Sequence, residues 1–203
     1  MSNQQDPTVR CAWCTQDELY IQYHDTEWGR PVFDETALFE RLVLESMQAG
    51  LSWLTVLKKR EAMQQQFRQF DIPWLARQGD KQLQRWLTNA DLIRHRGKLE
   101  SMLNNARLVV SCYHQGKTAD TFAQWLWSFA PRTHTPRMAG EVPVYTPEAQ
   151  AMAKALKRQG FRFVGPTTCY AFMQSVGMVN DHHPECMSYQ GCLADWQTPL
   201  RAA

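Results

Sequence analysis

Apolar residues in this chain recur at helical spacing, and no alternating run is long enough to build a β-sheet. The clearest case is 36–48, where Leu38, Phe39 and Leu42 fall on one stripe behind Asp34, a residue suited to cap a helix. Gly50 interrupts the pattern, which resumes at Ser52. We therefore predict an all-α fold with a long loop at 132–144 and helices at 36–48, 52–70, 73–78, 80–89, 90–96, 99–109, 119–129, 146–159 and 167–178.

The composition is that of a folded globular protein. The chain has 203 residues, 44% of them apolar and 21% charged, enough for one domain or for two lobes that share a core. It has no run of about 18 apolar residues and begins with a polar segment, so we expect neither a membrane span nor a secretory signal. The six cysteines are sparse, which favours free or metal-bound thiols over disulfides. We expect a cytoplasmic, monomeric protein with no membrane partner.

The segment 91–98 predicts a phosphate-binding hairpin between two helices. Gly97 can turn the chain at positive φ, and the unpaired amides that open the next helix attract phosphate oxygens. Arg94, Arg96 and Lys98 add positive charge, although an ordinary helix–helix turn with a solvated basic face is the alternative. Further basic clusters lie at 58–60 and 154–162, while the net charge is only +2. Positive charge segregated in this way favours a polyanionic partner.

Cysteine and histidine residues at both ends of the chain predict a metal site. Two such residues lie near the start and two in the run 182–186, and a set of two thiolates and two imidazoles suits tetrahedral Zn²⁺. Spacing alone leaves two alternatives open, because Cys14 and His183 are close enough in sequence to compete for ligand positions. Unrelated buried thiols and surface imidazoles are a third interpretation. The four candidates are Cys11, His24, His182 and Cys186.

Aromatic residues crowd the N-terminal part of the chain, and a single carboxylate follows them in an apolar helix. That carboxylate is Glu45, which must be paired, exposed to water or functional. If it faces the aromatic side chains, the two together would form a pocket that can read an extruded nucleic-acid base. The alternative is that Glu45 points to water.

Five segments carry a more specific pattern. They are Cys11-Ala-Trp13 with Tyr20-Ile-Gln-Tyr23-His24-Asp25-x-Glu27-Trp28-Gly29; Leu44-Glu45-x-x-Gln48-Ala49-Gly50-Leu51-Ser52-Trp53, continuing to Lys58-Lys59-Arg60; Ile93-Arg94-His95-Arg96-Gly97-Lys98; Gly160-Phe-x-Phe163-Val164-Gly165; and Val179-Asn180-Asp181-His182-x3-Cys186. In this order, over roughly residues 10 to 187, they resemble the 3-methyladenine DNA glycosylase I family.

The resemblance implies one glycosylase domain over 10–187, with the helix-hairpin-helix fold and DNA bound between two helical lobes. Its hairpin corresponds to the segment near 91–98. It also implies that one structural Zn²⁺ joins the two termini, with Cys14 and His183 as non-ligands. The implied ligands are Cys11, His24, His182 and Cys186. Residues 1–9 and 188–203 lie outside the match, and we expect them to be polar tails.

The resemblance further implies an enzyme of base-excision repair that hydrolyses the N-glycosidic bond of 3-methyladenine in alkylated double-stranded DNA. The implied catalytic residue is Glu45. The implied base-binding residues are Trp13, Tyr20, Tyr23, Trp28 and Trp53. The resemblance places the DNA hairpin around Gly97. With the basic residues of that segment and the break after Gln48, the predicted DNA-binding residues are Gly50, Leu51, Ser52, Arg94, Arg96, Gly97 and Lys98.

Methylation at N3 leaves adenine cationic and its glycosidic bond weak, so the enzyme need not protonate the leaving group. We expect Glu45 to accept hydrogen bonds from the base and to favour its charge, while aromatic rings add cation–π attraction. We expect no strand cleavage, because Lys98 beside a phosphate site suits a charge role better than a nucleophilic one. Asp120 is not expected to act in catalysis.

Some alternatives stay open. Leu51 at the Gly50 break is either a wedge that fills the gap left by a flipped base or an ordinary buried leucine. The chain could also be a zinc-stabilised module that recognises alkylated bases without cutting. A metalloenzyme is disfavoured, because four protein ligands leave no open position for water.

Overall fold

The computed structural model describes residues 9–14, 16–115, 117–138 and 140–197, and within these ranges it is helical and contains no strand. The predicted all-α class is therefore confirmed for the described residues. None of their helices is both long and apolar enough to cross a lipid bilayer. The helices are α1 (Glu18–Thr26), α2 (Glu35–Gln48), α3 (Trp53–Gln66), α4 (Ile72–Ala76), α5 (Asp80–Thr88), α6 (Arg96–Val109, continued by a π-helical turn, Val110–His114), α7 (Phe122–Trp127), α8 (Pro147–Arg158), α9 (Pro166–Ser175) and α10 (Tyr189–Gln197).

Helix α2 occupies the centre of the molecule. The side chain of Asp34 accepts a hydrogen bond from the Ala37 amide and so caps the helix, as the sequence predicted. Residues on more than one face of α2 are buried, because α3, α6, α7 and α9 all pack against it. This environment makes a polar residue in the middle of α2 expensive unless it has a partner or a function.

The remaining helices form two packed groups on either side of α2. Helices α4 and α5 pack against α6, and α8 packs against α9, while α1 lies on α3. Because α2 contacts both α6 and α9, it joins the two groups.

Helix α3 ends earlier than predicted, at Gln66 instead of residue 70. Arg68, Gln69 and Phe70 follow in the left-handed region, with φ between 51° and 56°. The strained turn buries Phe70 completely, and the ring of Phe67 packs 4.9 Å from that of Trp86. Burial of two phenyl rings explains why the chain leaves helical geometry here.

The segment 90–96 is not the helix that we predicted. It is a connection that ends at His95, whose imidazole caps α6 by accepting a hydrogen bond from the Lys98 amide. Gly97 lies in the first turn of α6 and is not among the glycines at positive φ, so it does not turn the chain. Helical periodicity misled the prediction because Leu92 and Ile93 are buried from a non-helical segment.

The expected polar tail from residue 188 is wrong for the described residues up to 197. Helix α10 lies there, with Tyr189 and Cys192 buried. The Trp196 indole donates to the Met178 carbonyl at 3.1 Å, and Arg30 pairs with Asp195 at 2.6 Å. A short amphipathic helix among polar residues gives little periodic signal, which explains the miss. Of the expected N-terminal tail only Val9 is described, and its carbonyl accepts from the Met187 amide at 2.9 Å. Residues 1–8 and 198–203 lie outside the described residues.

Candidate base pocket and metal centre

Two cysteines and two histidines from opposite ends of the chain meet in one buried cluster. Their ligand atoms all lie within 4.8 Å of one another: Cys11, His24, His182 and Cys186. The Cys186 sulfur lies 3.4 Å from His182 Nδ1 and 3.5 Å from His24 Nε2, and the Cys11 sulfur lies 3.5 Å from His182 Nδ1. Tetrahedral zinc with its usual bond lengths would place sulfur and nitrogen ligands about 3.5 Å apart. The donor set and its spacing therefore fit a metal ion.

The second nitrogen of each histidine is also engaged, as is usual around protein-bound metals. His24 Nδ1 lies 2.7 Å from Asp25, whose carboxylate is in turn held by Arg10 at 2.8 Å. His182 Nε2 lies 3.0 Å from the Trp28 carbonyl. These contacts orient both rings so that the remaining nitrogens face the sulfur atoms. Contact with the Cys11 thiol and then with both imidazoles lowers the pKa of Cys186, so its thiolate, the metal-binding form, is favoured.

The structure also separates the competing candidates. Neither Cys14 nor His183 belongs to the cluster. The His183 side chain faces Glu185 instead, and its backbone amide donates to the Cys11 sulfur at 3.4 Å. The four clustered residues are therefore the same four that the resemblance implied as metal ligands.

An open pocket of about 310 Å³ lies next to this cluster. The predicted aromatic residues and Glu45 all line it, so the structure brings together side chains from the N-terminal segment, α1, α2 and α3. The complete lining is Trp13, Tyr20, Tyr23, Trp28, Glu45, Gln48, Trp53, Val142, Ala171, Gln174 and Asp181.

The aromatic rings of the pocket support one another. Trp13 packs edge-on against Trp28 at 4.8 Å and against Tyr20 at 5.6 Å, and Tyr23 lies 5.2 Å from Trp53. Trp13 remains 36% exposed, which leaves an indole face available at the mouth. Such flat, rigid surfaces suit a planar aromatic ligand.

Trp28 connects the pocket to the Cys/His cluster. Its ring packs 4.6 Å from that of His182, while its carbonyl accepts from the same imidazole. The neighbouring Trp13 ring lies 5.2 Å from His24. The cluster therefore forms the back of the pocket wall, and a metal ion there would fix two of the pocket's aromatic residues.

Glu45 is buried in the pocket wall and does not point into open water, which was the alternative. It is 6% exposed, and burial raises its pKa to about 8, although Arg41 and then Ser175 act in the opposite direction. Arg41 lies one helical turn earlier, but its guanidinium forms an ion pair with Glu27. Compensation of Glu45 is therefore incomplete, and burial favours the protonated form of its carboxyl.

Sequence reasoning missed three polar residues of the lining: Gln48, Gln174 and Asp181. The buried Asp181 carboxylate accepts from the Tyr170 hydroxyl and from Gln174 at 2.9 Å, and it pairs with Arg137 at 3.6 Å. The run Asn180-Asp181-His182 carried a signal, because a residue next to a predicted metal ligand is positioned by the same site.

The connection between α2 and α3 presents Leu51 beside the pocket residue Gln48. Gly50 adopts φ 76°, and the Ser52 hydroxyl then caps α3 by accepting from the Thr55 amide at 3.2 Å. Leu51 is 40% exposed, so the ordinary buried leucine is excluded. The tight turn leaves an apolar side chain at the surface, three residues beyond the pocket residue Gln48.

We expected Lys98 to present its charge at a phosphate site on the surface, but the structure buries it. It is 4% exposed, and its ammonium donates to the carbonyls of Met47 at 2.7 Å and Ala49 at 2.6 Å. These carbonyls belong to the end of α2, where no helical donor reaches them. Lys98 is therefore a side-chain cap, and burial lowers its pKa. Arg94 and Arg96 are exposed, although Arg96 also contacts Glu100 at 3.3 Å.

The basic cluster at 58–60 is also largely paired. Lys58 lies 3.2 Å from Asp17, and Arg60 pairs with both Glu27 and Glu40 at 2.8 Å. Lys59 donates to the Ala90 carbonyl at 2.8 Å and so ties α3 to the start of the 90–95 connection. Carboxylates therefore balance part of the positive charge at 58–60.

Comparison with known proteins decides the family. A family model described as methyladenine glycosylase matches residues 13–189. The chain belongs to the methyladenine glycosylase family. It is 45% identical over 187 residues to DNA-3-methyladenine glycosylase 1 of Escherichia coli, with 90% of this chain and 97% of the relative covered. DNA-3-methyladenine glycosylase of Haemophilus influenzae is also 45% identical, over 184 residues that cover 88% of this chain and 97% of the relative.

Solved structures of methyladenine glycosylases agree. A crystal structure of 3-methyladenine DNA glycosylase I superimposes with a TM-score of 0.82 at 46% identity, covering 88% of this chain and 98% of that one. A tyrosine-to-phenylalanine variant of such an enzyme, in complex with 3-methyladenine, superimposes with a TM-score of 0.81 at 34% identity, covering 89% and 97%. The relationship thus spans most of the chain.

Proposed function

We propose that this protein excises 3-methyladenine from alkylated double-stranded DNA by hydrolysis of its N-glycosidic bond. One observation carries the proposal: a buried carboxyl, Glu45, lies in a pocket walled by aromatic rings and large enough for a purine. Relatives at 45% identity are named for this activity, and a neighbouring structure holds 3-methyladenine. The pocket is too narrow for duplex DNA, so the damaged nucleotide must leave the helix to enter it.

Selectivity follows from the charge of the base. N3-methylation of adenine leaves the base cationic while it is attached to the sugar. In the free pocket Glu45, with its pKa of about 8, is protonated at neutral pH. A cationic base beside it favours the ionised form, so the carboxyl releases its proton to solvent and then pairs with the base. Neutral adenine can contact the aromatic rings, but it carries no charge to pair with the ionised Glu45.

Bond cleavage then needs little help from an acid. The bond between the sugar C1′ and the base breaks, and its electron pair moves onto the base and cancels the positive charge. Water adds to C1′ and loses a proton to solvent, which leaves an abasic site and free 3-methyladenine. Before cleavage, the Glu45 carboxylate and the ring faces of Trp13 and Trp28 favour binding of the cationic base. As the bond breaks, the positive charge passes to the sugar, and the same carboxylate stabilises it there.

We propose that Zn²⁺ occupies the site formed by Cys11, His24, His182 and Cys186. When bound there, the ion crosslinks the two ends of the chain and supplies no open position for water. The other details are proposals of the same kind. Helix α5, the 89–95 connection and α6 form a helix-hairpin-helix DNA-binding element, in which Arg94, Arg96 and the amide of Gly97 contact phosphates. Lys98 ties the start of α6 to the end of α2 and so stabilises this surface. Leu51, flanked by Gly50 and Ser52, acts as a wedge. The protein is a cytoplasmic monomer.

Base release tests the proposal. Purified protein is incubated with N-methylated duplex DNA, and the free bases are separated by chromatography while strand integrity is followed on a denaturing gel. We expect release of 3-methyladenine with intact strands. Strand breaks made by the pure protein would contradict the monofunctional mechanism. Retention of every methylated base by a folded, metal-loaded protein would instead indicate a lesion-binding module.

A further inference from the structure

The loop between α8 and α9 holds an aromatic residue in an unfavourable backbone conformation. Phe163 has φ 57°, a left-handed value that is costly for a bulky side chain. Its neighbours Phe161 and Val164 are buried at 3% and 1% exposure, whereas Phe163 itself is 38% exposed. The strain at Phe163 therefore serves to hold a ring at the surface, because the adjacent apolar side chains already anchor the loop in the core.

Hydrogen bonds from two other helices fix this loop. The side chain of Asn105 in α6 accepts a hydrogen bond from the Arg162 amide at 2.9 Å and donates one to the Arg162 carbonyl at 3.1 Å. The Ser46 hydroxyl of α2 contacts the Phe163 carbonyl at 3.1 Å. Ser46 immediately follows Glu45, so the loop is tied to the helix that carries the pocket carboxyl. A residue held from both sides in this way is positioned rather than mobile.

The exposed ring lies against the hairpin. It makes an edge contact with His95, with ring centroids 6.1 Å apart, and a Cβ added to Gly97 would come within 3.7 Å of it. Arg162 precedes it in the chain and is exposed, and exposed Arg94 and Arg96 flank His95. Exposed arginines are therefore the chain neighbours both of this ring and of the histidine that it contacts, which suits a partner with apolar faces and a negative backbone.

We propose that Phe163 is a DNA-contact residue, and that the 160–165 loop and the hairpin form one surface for a DNA strand. On this surface the Phe163 ring packs against a nucleotide, while Arg162 contacts a phosphate. The proposal rests on the proposed function, since it assigns a further contact for the same substrate. It explains why the loop retains a strained phenylalanine where glycine would relieve the backbone.

Binding to a duplex with one stable abasic-site analogue, followed by fluorescence anisotropy, tests the role of the ring. Phe163→Gly removes the ring and suits the backbone, and we expect its Kd to rise about five-fold or more. Phe163→Tyr keeps the ring and is expected to stay near the wild-type Kd. Free 3-methyladenine, measured by tryptophan fluorescence, should bind all variants equally, because Phe163 does not line the pocket.

Two controls separate contact from side effects. Phe33→Ala removes another exposed ring, which stacks on Trp127 at 4.7 Å, and Gln69→Gly relieves another left-handed residue. Neither should change the Kd for DNA. Salt dependence adds a second readout: Arg162→Gln should reduce the slope of log Kd against log salt by about 0.9, the value for one phosphate contact. Phe163→Gly should leave that slope unchanged.

An unchanged Kd for Phe163→Gly would overturn the proposal. So would a parallel loss of free-base binding, since the ring would then support the fold instead of contacting DNA. These failures differ from failure of the proposed function, in which the wild-type protein itself would release no methylated base.

Discussion

Glu45 is subject to two opposing effects. Burial penalises its charge and raises its pKa to about 8, yet recognition of a cationic base requires that charge. Because Arg41 pairs with Glu27, the carboxyl lacks a full counter-ion until a cationic ligand arrives. An acid that ionises only on binding its target offers a simple basis for discrimination between methylated and normal adenine.

This pKa predicts how stability depends on pH. The Glu45 carboxyl ionises near its ordinary value of 4.5 in the unfolded chain but only near 8 in the folded one. The folded state therefore holds an extra proton between these values, and the free energy of unfolding falls as pH rises through that window. Each tenfold difference in proton affinity between the two states is worth ~1.4 kcal/mol, so the loss of stability across this window reaches a few kcal/mol.

Glu45→Gln removes the titrating group and should remove this part of the pH dependence. We expect the variant to gain stability relative to wild type as pH rises from 5 to about 9. Urea unfolding at several pH values measures the difference. Parallel pH profiles for the two proteins would show that Glu45 has an ordinary pKa.

Lys98 makes a different prediction, because its ammonium caps α2 from within the protein. Lys98→Met keeps most of the apolar stem but leaves the Met47 and Ala49 carbonyls without their donor. We expect a loss of ~1–3 kcal/mol in the free energy of unfolding. The salt dependence of DNA binding should not change. A reduced salt slope with normal stability would instead place the Lys98 charge on a phosphate.

At the level of secondary structure, the α2–α3 connection is built to expose one apolar side chain. Leu51→Ala should cost little stability, since Leu51 is 40% exposed, yet it should slow base release if the side chain fills the space of a flipped nucleotide. Single-turnover release measures this effect, with Phe33→Ala as the exposed apolar control. Gly50→Ala should act differently and destabilise the fold by ~1 kcal/mol, because φ at Gly50 is 76°.

The elements also show what local sequence can reveal. Asp34 was predicted as a helix cap and Gly50 as a break, because capping and positive φ are properties of single residues. The cap made by Ser52 was not predicted, since Ser52 was taken as the first residue of the helix. The 90–95 connection was misread as helix, because burial of Leu92 and Ile93 comes from packing that sequence spacing does not contain. The deep burial of Lys98 was invisible for the same reason.

At the scale of the whole molecule, the Cys/His cluster links the N-terminal segment to the region before α10. We predict one Zn²⁺ per chain by elemental analysis. Chelation should lower the melting temperature and weaken binding of free 3-methyladenine, because Trp28 and Trp13 pack on the cluster histidines. A chelated protein with unchanged melting and base binding would contradict this coupling.

Paired variants test the ligand assignment. Cys186→Ser should lose the metal, whereas Cys14→Ser should keep it, because Cys14 lies outside the cluster. Metal content measured after dialysis distinguishes the two. The opposite pattern would mean that Cys14 is the true partner of Cys11. Sequence spacing alone left this choice open, because proximity across about 170 residues of chain is a property of the fold.

Some pocket residues could be predicted from the sequence, and others could be found only from the fold. Its aromatic residues and Glu45 lie in recognisable sequence motifs, but Gln48, Gln174 and Asp181 enter the lining only when α2 and α9 pack together. Asp181 is further held by Tyr170 and by Arg137, which comes from the long loop before α8. Such a network joins residues from distant parts of the chain, and no local pattern marks it.

The most direct test of the account is single-turnover release of 3-methyladenine from methylated duplex DNA by wild-type protein and by Glu45→Gln. The glutamine keeps the size of the side chain but cannot carry a negative charge. We predict release by the wild type and a rate lower by about a hundred-fold or more in the variant, as expected for loss of an electrostatic group in a buried site. Release at the wild-type rate by folded Glu45→Gln would contradict the central role of the buried carboxyl.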